Sequence, residues 1–185
     1  MSNQPAKEAL RYTYEDYLAF PDNPRCEIIN GQIFDMTPSP TTKHQRISVE
    51  ITWLIRNHPG ESGRLCQVFH APFDVVIAED QIVQPDVIIV CDMQKIERTH
   101  LAGAPDVVFE IASPSTSLKD RREKMELYEW SGVTEYFIVD PEAEFVEKFM
   151  AKEGKYVRVG IYAGDAAFRI DAIALELKAR NIFAG

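Results

Sequence analysis

Long hydrophobic runs are missing from this 185-residue chain: nothing approaches the roughly 18 consecutive apolar residues that a membrane helix requires, so no membrane segment is expected. Cysteine is scarce. Cys26, Cys66 and Cys91 are odd in number and widely spaced among apolar residues, a pattern that predicts reduced, buried thiols rather than a disulfide framework. The histidines, His44, His58, His70 and His100, share no zinc-ligand spacing with those cysteines, which argues against a structural zinc. A basic surplus is lacking as well: 20 Lys and Arg stand against 29 Asp and Glu, and a net charge of −9 repels a polyanion at long range. Any contact with nucleic acid therefore has to be local and assisted by a cation. Met1 to Tyr12 carries no basic segment followed by an apolar stretch. A flexible polar tail over residues 1–12, no secretory leader and a cytoplasmic location are the expectations. No internal repeat, low-complexity tract or Gly/Ser-rich linker divides the rest, so residues 13–185 are expected to form a single domain around one core.

Along the chain the apolar period changes several times. Thr13 with Asp16 resembles a capping box for a short helix from Tyr14 to about Phe20, stopped by Pro21-Asp22-Asn23-Pro24. Cys26 to Ile29 and Gln32 to Met36 read as strands joined by Asn30-Gly31, the dipeptide that best supplies the positive φ of a tight hairpin. Thr42-Lys43-His44-Gln45 resembles a second capping box, and His44, Ile47, Ile51, Leu54 and Ile55 follow at helical spacing towards His58-Pro59-Gly60. Strands are predicted at Leu65 to Phe69, Phe73 to Ile77, Ile82 to Val90 and Val107 to Ala112. A helix from Leu118 to Ser131, closed by Gly132, precedes strands at Tyr136 to Val139, Phe145 to Met150 and Tyr156 to Ile161. The tail from Ile170 to Phe183 fits a short strand or one helical turn. This order predicts an α/β (α+β) fold on a mixed central sheet, with Val107 to Val139 forming a parallel strand, helix, strand crossover.

Two of these strands carry a carboxylate inside an apolar run: Asp86 within Ile82 to Val90, and Glu110 within Val107 to Ala112. Burying a lone carboxylate costs several kcal/mol unless a proton, a cation or hydrogen bonds compensate it. If the strands are neighbours, alternation lets the two acids converge, and such a pair suits Mg²⁺ or Mn²⁺. The alternative is that each acid points to solvent from an edge strand.

Pro85-Asp86 followed by Glu110 resembles the PD-(D/E)XK signature. Its surroundings sharpen the likeness: Glu27-Ile28-Ile29-Asn30-Gly31, Pro38-Ser39-Pro40 with His44, Gln84-Pro85-Asp86-Val87, Glu110-Ile111-Ala112-Ser113-Pro114-Ser115-Thr116, Asp120 with Lys124 and Tyr128, and Gly132-Val133-Thr134-Glu135-Tyr136 through Pro141. In this order and spacing the chain is similar, from about Tyr12 onward, to the family of bacterial proteins described as "putative restriction endonuclease".

The resemblance implies a restriction-endonuclease-like mixed sheet flanked by helices and a Mg²⁺- or Mn²⁺-dependent endonuclease acting on nucleic acid, DNA being the expected substrate. Asp86 and Glu110 would hold the metal, with Glu27 an additional acid. One departure stands out: the superfamily lysine belongs two residues after the second acid, where this chain has Ala112. The resemblance also implies that the lysine has moved to the following helix, where Lys124 matches; Lys119 is the reserve. The plainer reading of Lys124 is a solvated residue paired with Asp120, and that of His44 a hydrogen-bonded residue at the core edge. Asp74 is a weaker site candidate. Lys119, Arg121, Arg122 and Lys124, with Lys43 and Arg46, would form a positive patch for phosphates, or simply a solvated face. A nuclease-fold protein that binds nucleic acid or a protein partner without turnover is the alternative function. The long β edges predict a homodimer.

Overall fold

A computed structural model of the chain describes residues 10–21, 25–36, 39–58, 66–113 and 120–184. The tail expected over residues 1–12 lies largely outside them. Thr13 caps α1 (Tyr14–Leu18) as the sequence suggests: its side chain accepts from the Asp16 N–H, and the Asp16 carboxylate accepts in return from the Thr13 N–H. β1 (Cys26–Ile29) and β2 (Gln32–Asp35) form the expected hairpin. Asn30 and Gly31 turn it with φ of 53° and 72°. A side chain at position 31 would also press on Arg11, but it is the positive φ that favours glycine there.

α2 (Thr42–Arg56) starts one residue earlier than the Thr42 box implies. Thr41 is the N-cap, extended in backbone, and its hydroxyl accepts from the His44 N–H at 3.2 Å. The helix buries Ile47, Ser48, Ile51 and Ile55.

The remaining strands are β3 (Gln67–His70), β4 (Asp74–Ala78), β5 (Gln81–Val83), β6 (Val87–Val90), β7 (His100–Ala102), β8 (Val107–Ile111), β9 (Glu135–Asp140), β10 (Phe145–Lys152), β11 (Lys155–Ala163), β12 (Ala167–Ile170) and β13 (Leu175–Lys178). α3 (Met125–Ser131) connects β8 to β9, and α4 (Ala179–Phe183) follows β13. Gly132 ends α3 in the left-handed conformation expected of it, with φ of 83°.

Strands β11-β10-β9-β8-β6-β3 form a six-stranded sheet that is antiparallel except at β8 and β9, the parallel pair expected across α3. Strands β2-β1-β5-β4-β7 form a second sheet, distinct from the one mixed central sheet that the sequence predicts. The run Ile82 to Val90, expected as one strand, divides at Gln84-Pro85-Asp86: β5 joins the second sheet and β6 the first. Pro85 has no N–H to give to a ladder, so the chain changes sheets where pairing would fail in any case.

Both faces of the sheet's central strands β6, β8 and β9 are covered, which explains their largely apolar sequences. On one side Val87, Ile89, Val107, Phe109, Ile111 and Phe137 pack against α2 and the segment from β12 to α4. On the other, Ile88, Val90, Val108, Tyr136 and Ile138 pack against the second sheet and α3. The segment after β12 is held down by a buried pair. Lys148 Nζ lies 2.9 Å from a Glu135 oxygen, and the Glu135 carboxylate accepts from the N–H groups of Asp171 and Ala172.

The cysteine expectation is corrected. Cys66 and Cys91 form a disulfide, while Cys26 is buried and takes no part in it. Antiparallel pairing of β3 with β6 sets Gln67 against Val90, and one position further on the two cysteines face each other. A spacing of 25 residues could not reveal this before that strand pair was known.

Phe109 stacks on Phe137 at 4.3 Å between ring centroids, fully buried beneath α2. Phe109→Ala is expected to lower unfolding free energy by about 3–5 kcal/mol, measured by urea denaturation.

Candidate functional site

Glu110 lies in β8, Glu27 in β1 of the other sheet, and Lys124 ends a π-helical turn (Asp120–Lys124) that runs directly into α3. The turn directs Lys124 inward. Its Nζ sits 2.7 Å from Glu110 Oε1 and 3.0 Å from Glu27 Oε1. Glu27, Glu110 and Lys124 are exposed by only 1%, 3% and 5%, so they are solvated by one another rather than by water. Lys124 is therefore not part of an outward positive patch. Arg122 is exposed, while the reserve candidate Lys119 lies outside the described residues.

Further donors complete the two carboxylates. The Tyr128 hydroxyl, one turn beyond Lys124, donates to Glu110 Oε1 at 2.7 Å. The backbone N–H of Gln84 donates to Glu27 Oε1 at 3.0 Å. The Gln84 side chain in turn donates to Asp74 at 2.8 Å, and Asp74 also accepts from the Tyr17 hydroxyl. Asp74 thus stands one residue removed from the site, reaching Glu27 through Gln84. Tyr128 appears in the sequence motif without a role, although its i+4 spacing from Lys124 puts both on one helical face. Nothing in the sequence marks Gln84 as a donor to Glu27.

Asp86 occupies the crossing between the sheets, one position beyond the Val87 and Phe109 pair, and so at the register position opposite Glu110. Its carboxylate accepts from the Ile111 N–H at 2.7 Å and lies 3.2 Å from His44 Nε2. His44 comes from the first turn of α2, which brings this helix to the site. The four acidic and basic candidates therefore fall into two adjoining parts: Glu27, Glu110 and Lys124 in a buried cluster, and Asp86 beside His44 at the neighbouring strand position.

Among the described residues no group of three or more His, Cys, Asp or Glu side chains forms a ready metal cluster. The donor set nevertheless fits a cation. Glu27 and Glu110 each aim an oxygen at one positive centre, the Lys124 ammonium, and oxygen donors are what hard divalent ions take.

Burial, followed by the Glu110 and Glu27 charges, holds the Tyr128 phenol well above its ordinary pKa. It therefore remains a donor to Glu110. Burial with neighbouring carboxylates raises Tyr17 and Tyr156 likewise. Below about pH 10 these phenols are protonated in both folded and unfolded chains; above it the unfolded chain ionises and the folded one does not. Stability should therefore fall as pH rises past that value, and absorbance at 295 nm should show tyrosines that ionise only as the fold is lost. Tyr128→Phe should leave Glu110 one donor short and cost about 1–3 kcal/mol in denaturant unfolding.

Comparison with known proteins agrees with this architecture. A family model, Uma2, described as "Putative restriction endonuclease", matches residues 13–180. The uncharacterized protein slr1290 of Synechocystis sp. is 30% identical over 131 residues, covering 69% of this chain and 67% of that one. The crystal structure of a protein from Anabaena variabilis, described as a putative nuclease, superposes with a TM-score of 0.74 at 22% identity, covering 93% of this chain and 97% of the other. At that identity the superposition speaks for the fold alone. The family match includes both sheets and every candidate residue of the site, and the chain belongs to the Uma2 family of putative restriction endonucleases.

Proposed function

We propose that this protein is a metal-dependent endonuclease in which Asp86 and Glu110 hold Mg²⁺ or Mn²⁺, Glu27 serves as an additional acid and Lys124 orients the attacking water. Family membership supports nuclease chemistry as a class. The observation that supports the assignment to residues is the register of β6 and β8, which sets Asp86 opposite Glu110, together with Glu27 from the other sheet meeting Glu110 at one buried positive charge. Acids gathered in a dry interior need a proton, hydrogen bonds or a cation to match them, and here a cation already does so.

A bound divalent ion would lower the pKa of a water and neutralise charge on the scissile phosphate. The chain's own groups have separate tasks. Lys124 supplies from α3's leading turn the ammonium that Ala112 cannot supply from β8, and its donors can steady a nucleophile or developing phosphorane charge. The Ile111 N–H and His44 fix the Asp86 carboxylate; Tyr128 fixes that of Glu110. Nucleic acid, DNA in the first instance, is the substrate. A cytoplasmic homodimer completes the proposal, with β11 outermost in the six-stranded sheet as a pairing edge.

The absence of lysine at position 112 favours a second reading, a nuclease-fold protein that binds nucleic acid or a protein partner without turnover. Cleavage assays separate the two. Asp86→Ala and Glu110→Ala should each reduce Mg²⁺-dependent cutting of plasmid or single-stranded DNA by at least about 100-fold while circular dichroism stays native. Wild-type rates in both variants would remove these acids from the mechanism.

A further inference from the structure

Two carboxylates in one dry pocket repel each other, and each would tend to take up a proton unless a positive group lies between them. Lys124 is that group. Its nitrogen contacts the same-named oxygen, Oε1, of both Glu27 and Glu110, at 3.0 and 2.7 Å. It therefore occupies the point where oxygens from the two sheets converge, which is also the point that best suits an incoming cation. A divalent ion entering beside an ammonium still in place would meet a like charge at contact distance in a medium that screens poorly.

We infer that Lys124 is an internal counter-ion that competes with the divalent metal: it holds Glu27 and Glu110 together in the metal-free protein and must withdraw from between them when metal binds. This rests on the reading of the site as a metal-dependent nuclease. The lysine is mounted on a suitable lever. The π-helical turn Asp120–Lys124 runs into the α-helix Met125–Ser131, and π turns are wider than the α-helix and uncommon outside functional sites. Lys124 stands at the junction of the two, with α-helical backbone angles of its own, so its long side chain can withdraw without unfolding α3, and the turn then loses the buried contact that pins it. Metal loading and delivery of the lysine to the reaction thus become one event. The metal-free enzyme keeps the Lys124 ammonium engaged, and the loaded enzyme has it released beside the scissile phosphate.

The inference has an experimental consequence opposite in sign to that of a supporting ligand. Lys124→Met keeps the volume of the side chain and removes the charge, so the two buried acids lose the Lys124 ammonium that lies between them. Calorimetric titration with MnCl₂ should show the variant binding on the order of tenfold more tightly than the wild type. Its metal-free melting temperature should be lower, and saturating Mn²⁺ should raise it by more than it raises the wild type's. A second readout needs no variant: amide hydrogen exchange of residues 120–125 in the wild-type protein should quicken when Mn²⁺ is added. Equal or weaker Mn²⁺ affinity in the variant overturns the inference, as does unchanged exchange in the wild type. If that happens while wild-type cleavage remains Mn²⁺-dependent, only the competition falls and the nuclease reading stands. If neither protein binds Mn²⁺, both fall together.

Discussion

Charge removed from water has to be matched where it lies, and in this fold one ammonium group does the matching for two sheets. Glu27 arrives from β1, Glu110 from β8 and Lys124 from the turn before α3. No two of these elements are hydrogen-bonded neighbours, so the cluster fixes their mutual placement in a way that backbone ladders do not. Apolar packing brings the elements close; the ion cluster selects one arrangement. Such a device adds little net stability, because the attraction between the charges is largely offset by their desolvation. Its value lies in geometry.

The crossing at Gln84-Pro85-Asp86 belongs to the same constraint. It carries the chain from the second sheet to the first, and each polar residue in it is put to use. The Gln84 N–H supports Glu27, and Asp86 reaches the Ile111 N–H beside Glu110. A strand running straight through these residues would have paired their backbone groups with a neighbour instead. The interruption is thus what frees a backbone donor for one acid and places a second acid next to it.

Much of this was legible in the sequence where the chemistry is local. Asn30-Gly31 requires a left-handed turn whatever surrounds it, Thr13 and Asp16 cap each other within one turn, and Gly132 closes α3 for the same reason. Glu110, lodged in an apolar strand, demands compensation; Lys124 follows from the family resemblance, since Ala112 holds the usual lysine position. What escaped reading depends on contacts far apart in the chain. The run Ile82 to Val90 looks continuous because the strands on either side of Pro85 are equally apolar, each buried in a different sheet. Residues His100 to Ala102 become a strand through parallel pairing with β4, a partner that their own sequence does not specify. The bridge between Cys66 and Cys91 needed the β3 and β6 register. Thr41 and Thr42 are chemically equivalent caps, and only the backbone path chooses between them.

The buried link between Lys148 and Glu135, and the grip of Glu135 on the amides of Asp171 and Ala172, bear on the order in which this protein can be completed. Phe168, Ile170, Ile173, Leu175, Leu177 and Ile182 cover the α2 side of the large sheet, yet all are synthesised after its sixth strand. Until they emerge from the ribosome, that face of β9 and β10 lacks its apolar cover, and Lys148 and Glu135 wait in water for theirs. The risk of aggregation during synthesis is therefore concentrated on one side of one sheet, and it ends when a short late segment clicks into place.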